Sequence, residues 1–506
     1  MAVGHWMYGG LKMRAPSRLT SEQRAFFAPL GEAIFLSPFS SERAALLDRA
    51  SPGHSGEALR LDPSAYRMLA EVDARIAGLE REGRTAIHHF APQDRPLLEP
   101  VLCYQVYHRH VAALDGLIQR QLESPNASVS VPFARSLLAQ LSARGFSEEQ
   151  SLRYLAIFYQ LRRCFYFIVD SLRGEGPSML ELRQALWNAV FTHDAHLYDQ
   201  SLWNRMEDFS TLLVGETGTG KGLAAAAIGR SGFIPFDRAA GRFAESFSRS
   251  FLAINLSQFP ETLIESELFG HRKGSFTGAV EDHAGVFERC SVHGALFLDE
   301  IGEAGVPIQI KLLQVLQERT FTPIGGRGTR RFSGRIIAAT NRSLAALREQ
   351  GNFRDDFFYR LCSQVIVVPT LRQRLDESPA ELDLLVASLV VRTTGGESPE
   401  VTRRVLETLA RELPPRYPWP GNVRELEQAI RRVLVTGHYS GDLPATRMDD
   451  AEALAREMRT GGLSSHQLQA RYCALLYREL GTLEAVARRT GLDRRTVKKY
   501  VQSEPV

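Results

Sequence analysis

The sequence predicts a multidomain protein with a mostly helical N-terminal domain, an α/β core with a parallel sheet and helical lid, and a small all-α C-terminal domain. Three observations support this fold class. The chain has 506 residues, enough for about three domains. Before residue 177 apolar positions recur at helical spacing, whereas from 178 to 434 short β-rich runs alternate with longer helical runs. After residue 437 a polar stretch leads to short, basic helical runs.

The composition excludes several classes of protein. Lys and Arg number 61, Asp and Glu number 58, the formal net charge is +3, and 44% of residues are hydrophobic. A largely disordered chain and a uniformly basic DNA-coating protein are therefore both excluded. The five cysteines form no Cys-x-x-Cys pair, so we expect a cytoplasmic protein without disulfides. The most apolar run, residues 154–169, contains two arginines and is shorter than a membrane span, so we expect no membrane segment.

Residues 1–177 are predicted to form the mostly helical N-terminal domain. Apolar residues between positions 137 and 161 follow the three-to-four spacing of amphipathic helices, and the βα alternation of a phosphoacceptor receiver domain is missing. Histidines and tyrosines between residues 86 and 110 are compatible with a metal or ligand site, but such residues on apolar helices more often belong to a core. Only its position before the α/β core indicates a regulatory input domain.

The α/β core contains a glycine-rich loop between a strand, TLLV, and a helical run, LAAAAIG. The loop matches G-x-x-x-x-G-K, in which backbone N–H groups and the lysine surround nucleotide phosphates at a helix N-terminus. A glycine follows the lysine, where such loops usually have a metal-directed Ser or Thr. The sequence therefore predicts a phosphate-binding loop formed by Gly215, Glu216, Thr217, Gly218, Thr219, Gly220, Lys221 and Gly222.

A second apolar strand, ALFL, ends in two adjacent carboxylates, Asp299 and Glu300. An acidic end on a buried strand is costly unless the charge meets a cation. We predict that Asp299 holds Mg²⁺, directly or through water, and that Glu300 polarises an attacking water. An Asp-Glu pair alone is also compatible with a purely structural strand end. The phosphate-binding loop upstream favours the catalytic interpretation.

Together these motifs resemble the AAA+ P-loop ATPase module of bacterial enhancer-binding proteins, the activators of sigma-54 RNA polymerase. The resemblance covers residues 178–435, about half of the chain, and its most specific element is the hexapeptide GSFTGA. This hexapeptide looks like the GAFTGA loop with which the family contacts the sigma factor. From the hexapeptide alone, a simple turn with its Phe packed inside remains an alternative. The resemblance implies sigma-factor contacts at Gly274, Ser275, Phe276, Thr277, Gly278 and Ala279.

The resemblance also implies roles for polar residues around the nucleotide. Asn255 matches the asparagine that restrains the catalytic glutamate, so we expect it to pair with Glu300. Asn341 matches the sensor-I residue at a strand end, and Arg424 matches the sensor-II arginine of the lid. On this resemblance the cofactors are ATP and Mg²⁺, and the activity is hydrolysis of ATP to ADP and phosphate.

Two arginines, Arg354 and Arg360, match those that the family supplies to the nucleotide site of a neighbouring subunit. The resemblance therefore implies a homo-oligomer, a hexameric ring. Pairing of either arginine with Asp355 or Asp356 is the structural alternative.

The chain departs from the family pattern at two places. Gly222 stands where the family commonly has Glu, and we expect ATP binding to survive this change. Residues 232–250 make up a longer segment than is usual, with four phenylalanines among arginines. A packed extra helix and a contact surface are both compatible with that segment.

The basic tail resembles the Fis-type helix-turn-helix domain that ends many of these activators. Two short helical runs flank a turn at residues 491–493, which is typical of a helix-turn-helix. A solvated basic face is the alternative interpretation. The predicted contacts with double-stranded DNA are Arg494, Arg495, Thr496, Lys498 and Lys499.

The domains that we predict are an N-terminal regulatory domain (1–177), a nucleotide-binding subdomain (178–370), a lid (371–436), a linker (437–462) and a DNA-binding domain (463–506). The function that we expect is ATP-driven transcription activation in the cytoplasm, at the nucleoid. The protein would bind upstream DNA and convert closed complexes of sigma-54 RNA polymerase to open ones. One alternative is a DNA-bound scaffold or repressor that binds ATP structurally. Another is an AAA+ remodeller of a different protein complex.

Overall fold

The computed structural model describes residues 16–51, 63–441, 454, 458 and 464–503. The chain divides into two compact units, Met1–His438 and Tyr439–Val506, which are described separately. Among the described residues, no helix is long and apolar enough to cross a membrane.

Helices form the described part of the N-terminal region, as the apolar spacing predicts. In chain order they are α1 (Ser21–Ile34), α2 (Ser41–Ala50), α3 (Pro63–Arg81), α4 (Arg95–Arg109), α5 (Val111–Glu123), α6 (Ala134–Ala143), α7 (Glu148–Ser171), α8 (Pro177–Phe191) and α9 (Ala195–Leu197). Helix α7 begins with a capping box, in which the Ser147 hydroxyl accepts from the Gln150 N–H and the Gln150 side chain accepts from Ser147. The rings of Tyr104 and His108 pack together at 3.8 Å, and burial lowers the pKa of His108 to about 4. These two residues therefore belong to a helical core.

Nine strands follow along the first unit within its described residues. They are β1 (Thr211–Val214), β2 (Phe236–Asp237), β3 (Arg242–Phe243), β4 (Phe251–Asn255), β5 (Ala295–Asp299), β6 (Thr320–Phe321), β7 (Arg330–Arg331), β8 (Arg335–Thr340) and β9 (Gln364–Val367). Five of them form one parallel sheet in the order β4-β5-β8-β1-β9. Since parallel strands present their carboxyl ends at one edge, the residues that follow β1, β4, β5 and β8 gather there.

Helices cover the sheet and continue into the range predicted for the lid. They are α10 (Lys221–Gly229), α11 (Glu261–Phe269), α12 (Val286–Arg289), α13 (Val306–Glu318), α14 (Leu344–Glu349), α15 (Asp355–Leu361), α16 (Leu371–Glu377), α17 (Glu381–Thr394), α18 (Pro399–Glu412) and α19 (Asn422–Thr436). Helix α10 directly follows the glycine-rich loop, and we call it the P-loop helix.

One apolar core joins the N-terminal helices to the sheet. Leu155 of α7, Leu186 of α8 and Ile228 of the P-loop helix are buried in the same cluster as Phe297 and Ile337 of the central strands. A separate cluster packs α13 against the other face of the sheet. The boundary predicted at residue 177 therefore falls between two helices that share a core, and the N-terminal region packs directly on the ATPase-like sheet.

The long segment 232–250 is a contact surface within the chain. Its strands β2 and β3 form an antiparallel hairpin. The Phe243 ring stacks on Tyr159 of α7 at 4.2 Å, and the fully buried Phe247 meets Phe167 of α7 edge-on at 5.4 Å. The segment is therefore not an extra helix; it packs against the long N-terminal helix α7 of the same chain.

The second unit contains α20 (Ser465–Leu480), α21 (Leu483–Thr490) and α22 (Arg494–Ser503). The side chains that fill its small core are Cys473, Leu476, Val486, Val497 and Val501. Gly491 ends α21 in the left-handed region, with φ 72°, and allows the short turn before α22. Most of the linker predicted for residues 437–462 lies outside the described residues.

Candidate nucleotide site

The glycine-rich loop curls between the end of β1 and the start of the P-loop helix. Gly218 and Gly220 have φ angles of +81° and +103°, which favour glycine. A Cβ at Gly218 would also clash with the carbonyl oxygen of Gly421, at the start of the lid helix α19. The Lys221 ammonium donates to the carbonyl oxygens of Gly215 at 2.9 Å and Glu216 at 3.1 Å. The loop therefore holds its lysine inward, as the motif predicts.

Positively and negatively charged side chains lie together next to the glycine-rich loop, where they are partly buried. Burial lowers the pKa of Lys221, an effect that Glu300 and Asp299 partly offset. Burial likewise raises the pKa of Asp299, although the Glu300 N–H, Lys221 and Arg424 act in the opposite direction. The structure thus brings the loop lysine, both strand-end carboxylates and the lid arginine to one site.

The residue Glu300 has a strained backbone, with φ 55° and ψ 48° in the left-handed region. One of its carboxylate oxygens accepts from the Asn341 backbone N–H at 3.2 Å. The Asn341 side chain donates in turn to the Thr217 hydroxyl at 2.8 Å. Asn341 therefore links the Glu300 carboxylate to the glycine-rich loop; its sensor role stays a prediction.

The pairing expected for Asn255 is wrong in this structure. Its amide donates to the Asp299 carboxylate at 3.5 Å, and its carbonyl oxygen accepts from the backbone and hydroxyl of Ser257 at 2.9 and 2.7 Å. The register of β4 and β5 sets Asn255 opposite Asp299, one residue before Glu300. Sequence motifs do not specify that register.

Two lid residues that the sequence motifs do not predict, Asn422 and Arg372, bind the loop. The fully buried Asn422 amide donates to the Glu216 carboxylate and to the Thr217 carbonyl oxygen, both at 3.1 Å. Arg372 forms a two-pronged ion pair with Glu216, and this pairing lowers the pKa of the carboxyl. The sequence does contain a pattern that could have indicated Asn422. Asparagine is one of the residues that adopt a positive φ more readily, and Asn422, which follows Pro-Gly at the start of a helix, has a φ of 54°.

Arg354 and Arg360, which are predicted to act on a neighbouring subunit, each form hydrogen bonds with residues of the same chain. Arg354 donates to both oxygens of Asp356, at 3.0 and 2.7 Å, which raises the pKa of the arginine. Arg360 donates twice to the Leu316 carbonyl oxygen, at 3.0 and 2.9 Å. The structural alternative thus applies to Arg354, with Asp356 as the partner, whereas Asp355 pairs with Arg348.

The hexapeptide GSFTGA forms a hydrogen-bonded loop between α11 and α12. The Gly274 N–H donates to the Ala279 carbonyl oxygen at 2.8 Å, and the Ala279 N–H donates to that of Phe276 at 3.0 Å. Phe276 is 39% exposed, with its ring T-shaped against the His271 ring at 4.9 Å, so it is not packed inside the loop. Thr277 is exposed beside it. Ala279, in contrast, is buried, with 6% of its surface exposed, so its side chain is not presented at the loop tip.

In the second unit the predicted DNA contacts lie on α22. Arg494, Arg495, Lys498 and Lys499 are exposed, whereas Thr496 is half-buried next to the core. Arg494 forms an ion pair with Glu484 of α21 at 2.8 Å. The helix therefore presents a basic face, of which one arginine is tied to the preceding helix.

Comparisons with known proteins place this geometry in context. Residues 195–367 match the sigma-54 interaction domain family. The DNA-binding transcriptional regulator NtrC of Azospirillum brasilense is 39% identical over 281 residues, which are 56% of this chain and 51% of that protein. The regulatory protein AtoC of Escherichia coli (strain K12) is 37% identical over 285 residues, 54% of this chain and 58% of that protein. The chain thus spans about half the length of the curated relatives it matches.

Solved structures of NtrX from Brucella abortus are also similar. The structure in complex with ATP is 22% identical and covers 73% of this chain and 81% of that one, with a TM-score of 0.39. A further NtrX structure is 21% identical, with a TM-score of 0.41 and coverage of 72% and 78%.

Proposed function

We propose that the protein is an ATP-hydrolysing activator of sigma-54 RNA polymerase, because residues 195–367 match the sigma-54 interaction domain family. The observation that carries the proposal is the exposure of Phe276 and Thr277 on a hydrogen-bonded loop of the same unit that holds the nucleotide site. An exposed aromatic and a hydroxyl at one loop tip suit a protein partner. Such an activator works on chromosomal DNA in the cytoplasm.

The loop and the P-loop helix would bind the phosphates of ATP. Backbone N–H groups at the start of the P-loop helix supply positive potential, and Lys221 would move from the loop carbonyls to the β- and γ-phosphates. Gly222 leaves the position open, because a Cβ there would meet nothing within 4 Å. The lid residues Asn422 and Arg372 would hold the loop in its curled shape.

The residues present fit a magnesium ion. Asp299 offers hard anionic oxygens in a place where burial raises its pKa, so an added cation would stabilise the ionised carboxylate. Asp299 would therefore hold the ion. When bound, Mg²⁺ would neutralise charge on the phosphates.

Hydrolysis would use Glu300 to orient and polarise the attacking water. Asn341 contacts both Glu300 and Thr217, so it is placed to report a change at the γ-phosphate to the catalytic carboxylate. Asn255 would act on Asp299 rather than on Glu300. Arg354 or Arg360 of a neighbouring subunit would stabilise the transferred phosphoryl group, after leaving the partner that each has here. This step requires a homo-oligomer, which we propose is a hexameric ring.

The basic face of α22 supports DNA binding by the second unit. Two helices joined by a three-residue turn, the later one basic and exposed, support a helix-turn-helix. We propose that Arg495, Lys498 and Lys499 contact an upstream activator site, with Arg494 and Thr496 at its margin. Bound there, the ring would reach the closed complex and convert it to the open one.

The experiment is promoter opening by sigma-54 holoenzyme with ATP, comparing the wild-type protein with Glu300→Gln. The substitution keeps size but removes the base, so wild-type protein should open the promoter and the variant should not. A wild-type protein that hydrolyses no ATP when assembled on DNA would favour a scaffold or repressor, for which Gly222 is the motivating feature. ATP hydrolysis without promoter opening would favour a remodeller of another complex.

A further inference from the structure

A buried arginine of the N-terminal region binds the far end of the P-loop helix. Arg163, in the middle of α7, is 0% exposed. Its guanidinium donates to the carbonyl oxygens of Arg230 at 2.6 Å and Gly232 at 2.7 Å, just beyond the last residue of the P-loop helix. The negative end of that helix dipole therefore meets a cation supplied from another part of the chain.

This buried charge is balanced without a carboxylate among its hydrogen-bond partners. Burial lowers the pKa of Arg163 to about 10, so the group remains charged at neutral pH. The guanidinium lies over the Tyr159 ring at 4.5 Å and near the Phe247 ring at 5.7 Å. Since a buried charge is costly to maintain, its partners, the carbonyl oxygens and the rings, have to stay in place.

A second donor on α7 reinforces the same junction. The Gln160 amide donates to the Ser231 carbonyl oxygen at 2.9 Å, and its own oxygen accepts from the Tyr198 hydroxyl at 2.8 Å. Three successive carbonyls, those of residues 230, 231 and 232, are thus all bound by α7. These hydrogen bonds attach the C-terminal end of the P-loop helix to α7.

The chain after α7 also binds the lid. Arg374 of α16 donates to the Arg173 carbonyl oxygen at 2.6 Å, and the Glu377 carboxylate accepts from the backbone and hydroxyl of Ser178 at 2.9 and 2.7 Å. Helix α16 also carries Arg372, the partner of Glu216 in the loop. Residues 160–178 therefore contact the P-loop helix on one side of the nucleotide site and the lid on the other.

We propose that Arg163 is a positioning residue for the nucleotide site, through which the N-terminal region controls nucleotide binding. The P-loop helix has nine residues and a length of about 14 Å at ~1.5 Å per residue, so it moves as a rigid rod. Lys221 stands at one end of the rod and the Arg163 contacts at the other. A shift of α7 is transmitted to the phosphate-binding loop. The inference rests on the proposed function only in that nucleotide binds this loop.

The test compares Arg163→Met with Arg162→Met in the full-length protein. Methionine keeps an unbranched side chain but removes every donor. Arg162 is a matched control, because it is also buried on α7 but pairs with Asp115 inside the N-terminal region, with one contact at 2.8 Å. We measure the Kd of a fluorescent ADP analogue and hydrogen exchange of the backbone amides of residues 223–229.

The proposal predicts that Arg163→Met raises the Kd about fivefold or more and speeds exchange in the P-loop helix. Arg162→Met should leave both within about twofold. Arg163→Lys, which keeps the charge but lacks the planar guanidinium fork that holds both carbonyls in fixed geometry, should lie between wild type and Arg163→Met. Equal effects of the two methionine variants, or wild-type affinity and exchange in Arg163→Met, would overturn the proposal.

Three further outcomes are informative. If Arg163→Met does not fold, the Arg163→Lys variant is the test. A wild-type Kd and wild-type hydrogen exchange in Arg163→Lys would then contradict the proposal. If wild-type protein binds ADP but opens no promoter, the proposed function fails and this inference stands. If wild-type protein binds no nucleotide, both the proposed ATPase activity and the proposed role of Arg163 in nucleotide binding are wrong, whatever the exchange data show.

Discussion

The lid residue Asn422 gives the sharpest prediction about the nucleotide site. Its side chain makes a part-buried hydrogen bond to the Thr217 carbonyl oxygen and a buried one from the Leu371 N–H at 2.8 Å. Its third bond, to the exposed and ion-paired Glu216, contributes little. Asn422→Gly removes the amide and tolerates the φ of 54°, so it isolates the hydrogen bonds.

The expected magnitude follows from those two bonds. Each is worth about 1 kcal/mol, and a buried Leu371 N–H left without a partner adds to the loss, for about 2–3 kcal/mol in total. At about 1.4 kcal/mol per factor of ten, the affinity for nucleotide should fall roughly 30- to 150-fold. Asn422→Ala adds left-handed strain of about 1 kcal/mol and should lose a further factor of about five.

The assay is calorimetric titration with ADP, with Gln428→Ala as the control. Gln428 is exposed on the same helix and carries an amide of the same kind, so its removal should leave the Kd within about twofold. The reasoning is refuted if Asn422→Gly binds ADP within about threefold of wild type. It is also refuted if Gln428→Ala loses as much affinity as the glycine variant.

Further predictions concern charge and assembly. Burial raises the pKa of Asp299 above that of the unfolded chain, so its ionised form destabilises the fold at neutral pH and this cost vanishes as the pH falls below both values. Asp299→Asn should therefore raise the melting temperature at pH 8 but not at pH 3, while abolishing ATP hydrolysis; a lower melting temperature at pH 8 would contradict this. Lys498→Ala and Lys499→Ala should each weaken DNA binding for all sequences and reduce the salt slope by about one, as fluorescence anisotropy would show; an unchanged slope argues against phosphate contact. Arg354→Ala and Lys221→Ala proteins, each inactive, should regain ATPase activity when mixed, because one subunit supplies the arginine and the other the intact loop; inactivity of the mixture would refute action in trans.

The sequence was sufficient for the local parts of the site. Phosphate-loop glycines, strand-end carboxylates and the strand-end Asn341 are short-range patterns, and parallel strands bring them to one edge of the sheet. The structure places Lys221, Asp299, Glu300 and Asn341 together as those patterns imply. Their catalytic roles remain predictions.

Contacts between distant segments were not predictable in the same way. Asn255 pairs with Asp299 because of strand register, and Asn422 reaches a loop some two hundred residues earlier in the chain. The spacing of residues along the chain determines neither the register of two strands nor the position in which the lid packs on the loop. Arg163 is the clearest case: in the sequence it only interrupts an apolar run, whereas in the fold it binds the end of the P-loop helix.

The central claim is that ATP hydrolysis is coupled to sigma-54 RNA polymerase through the exposed Phe276. The most direct measurement compares ATPase rate and promoter opening in wild type and Phe276→Ala, in the same reaction with sigma-54 holoenzyme. Phe276 is exposed beside the His271 ring and is not among the residues of the nucleotide site, so the ATPase rate should stay within about twofold. Promoter opening should be lost. Equal promoter opening by the variant and the wild-type protein would contradict the account.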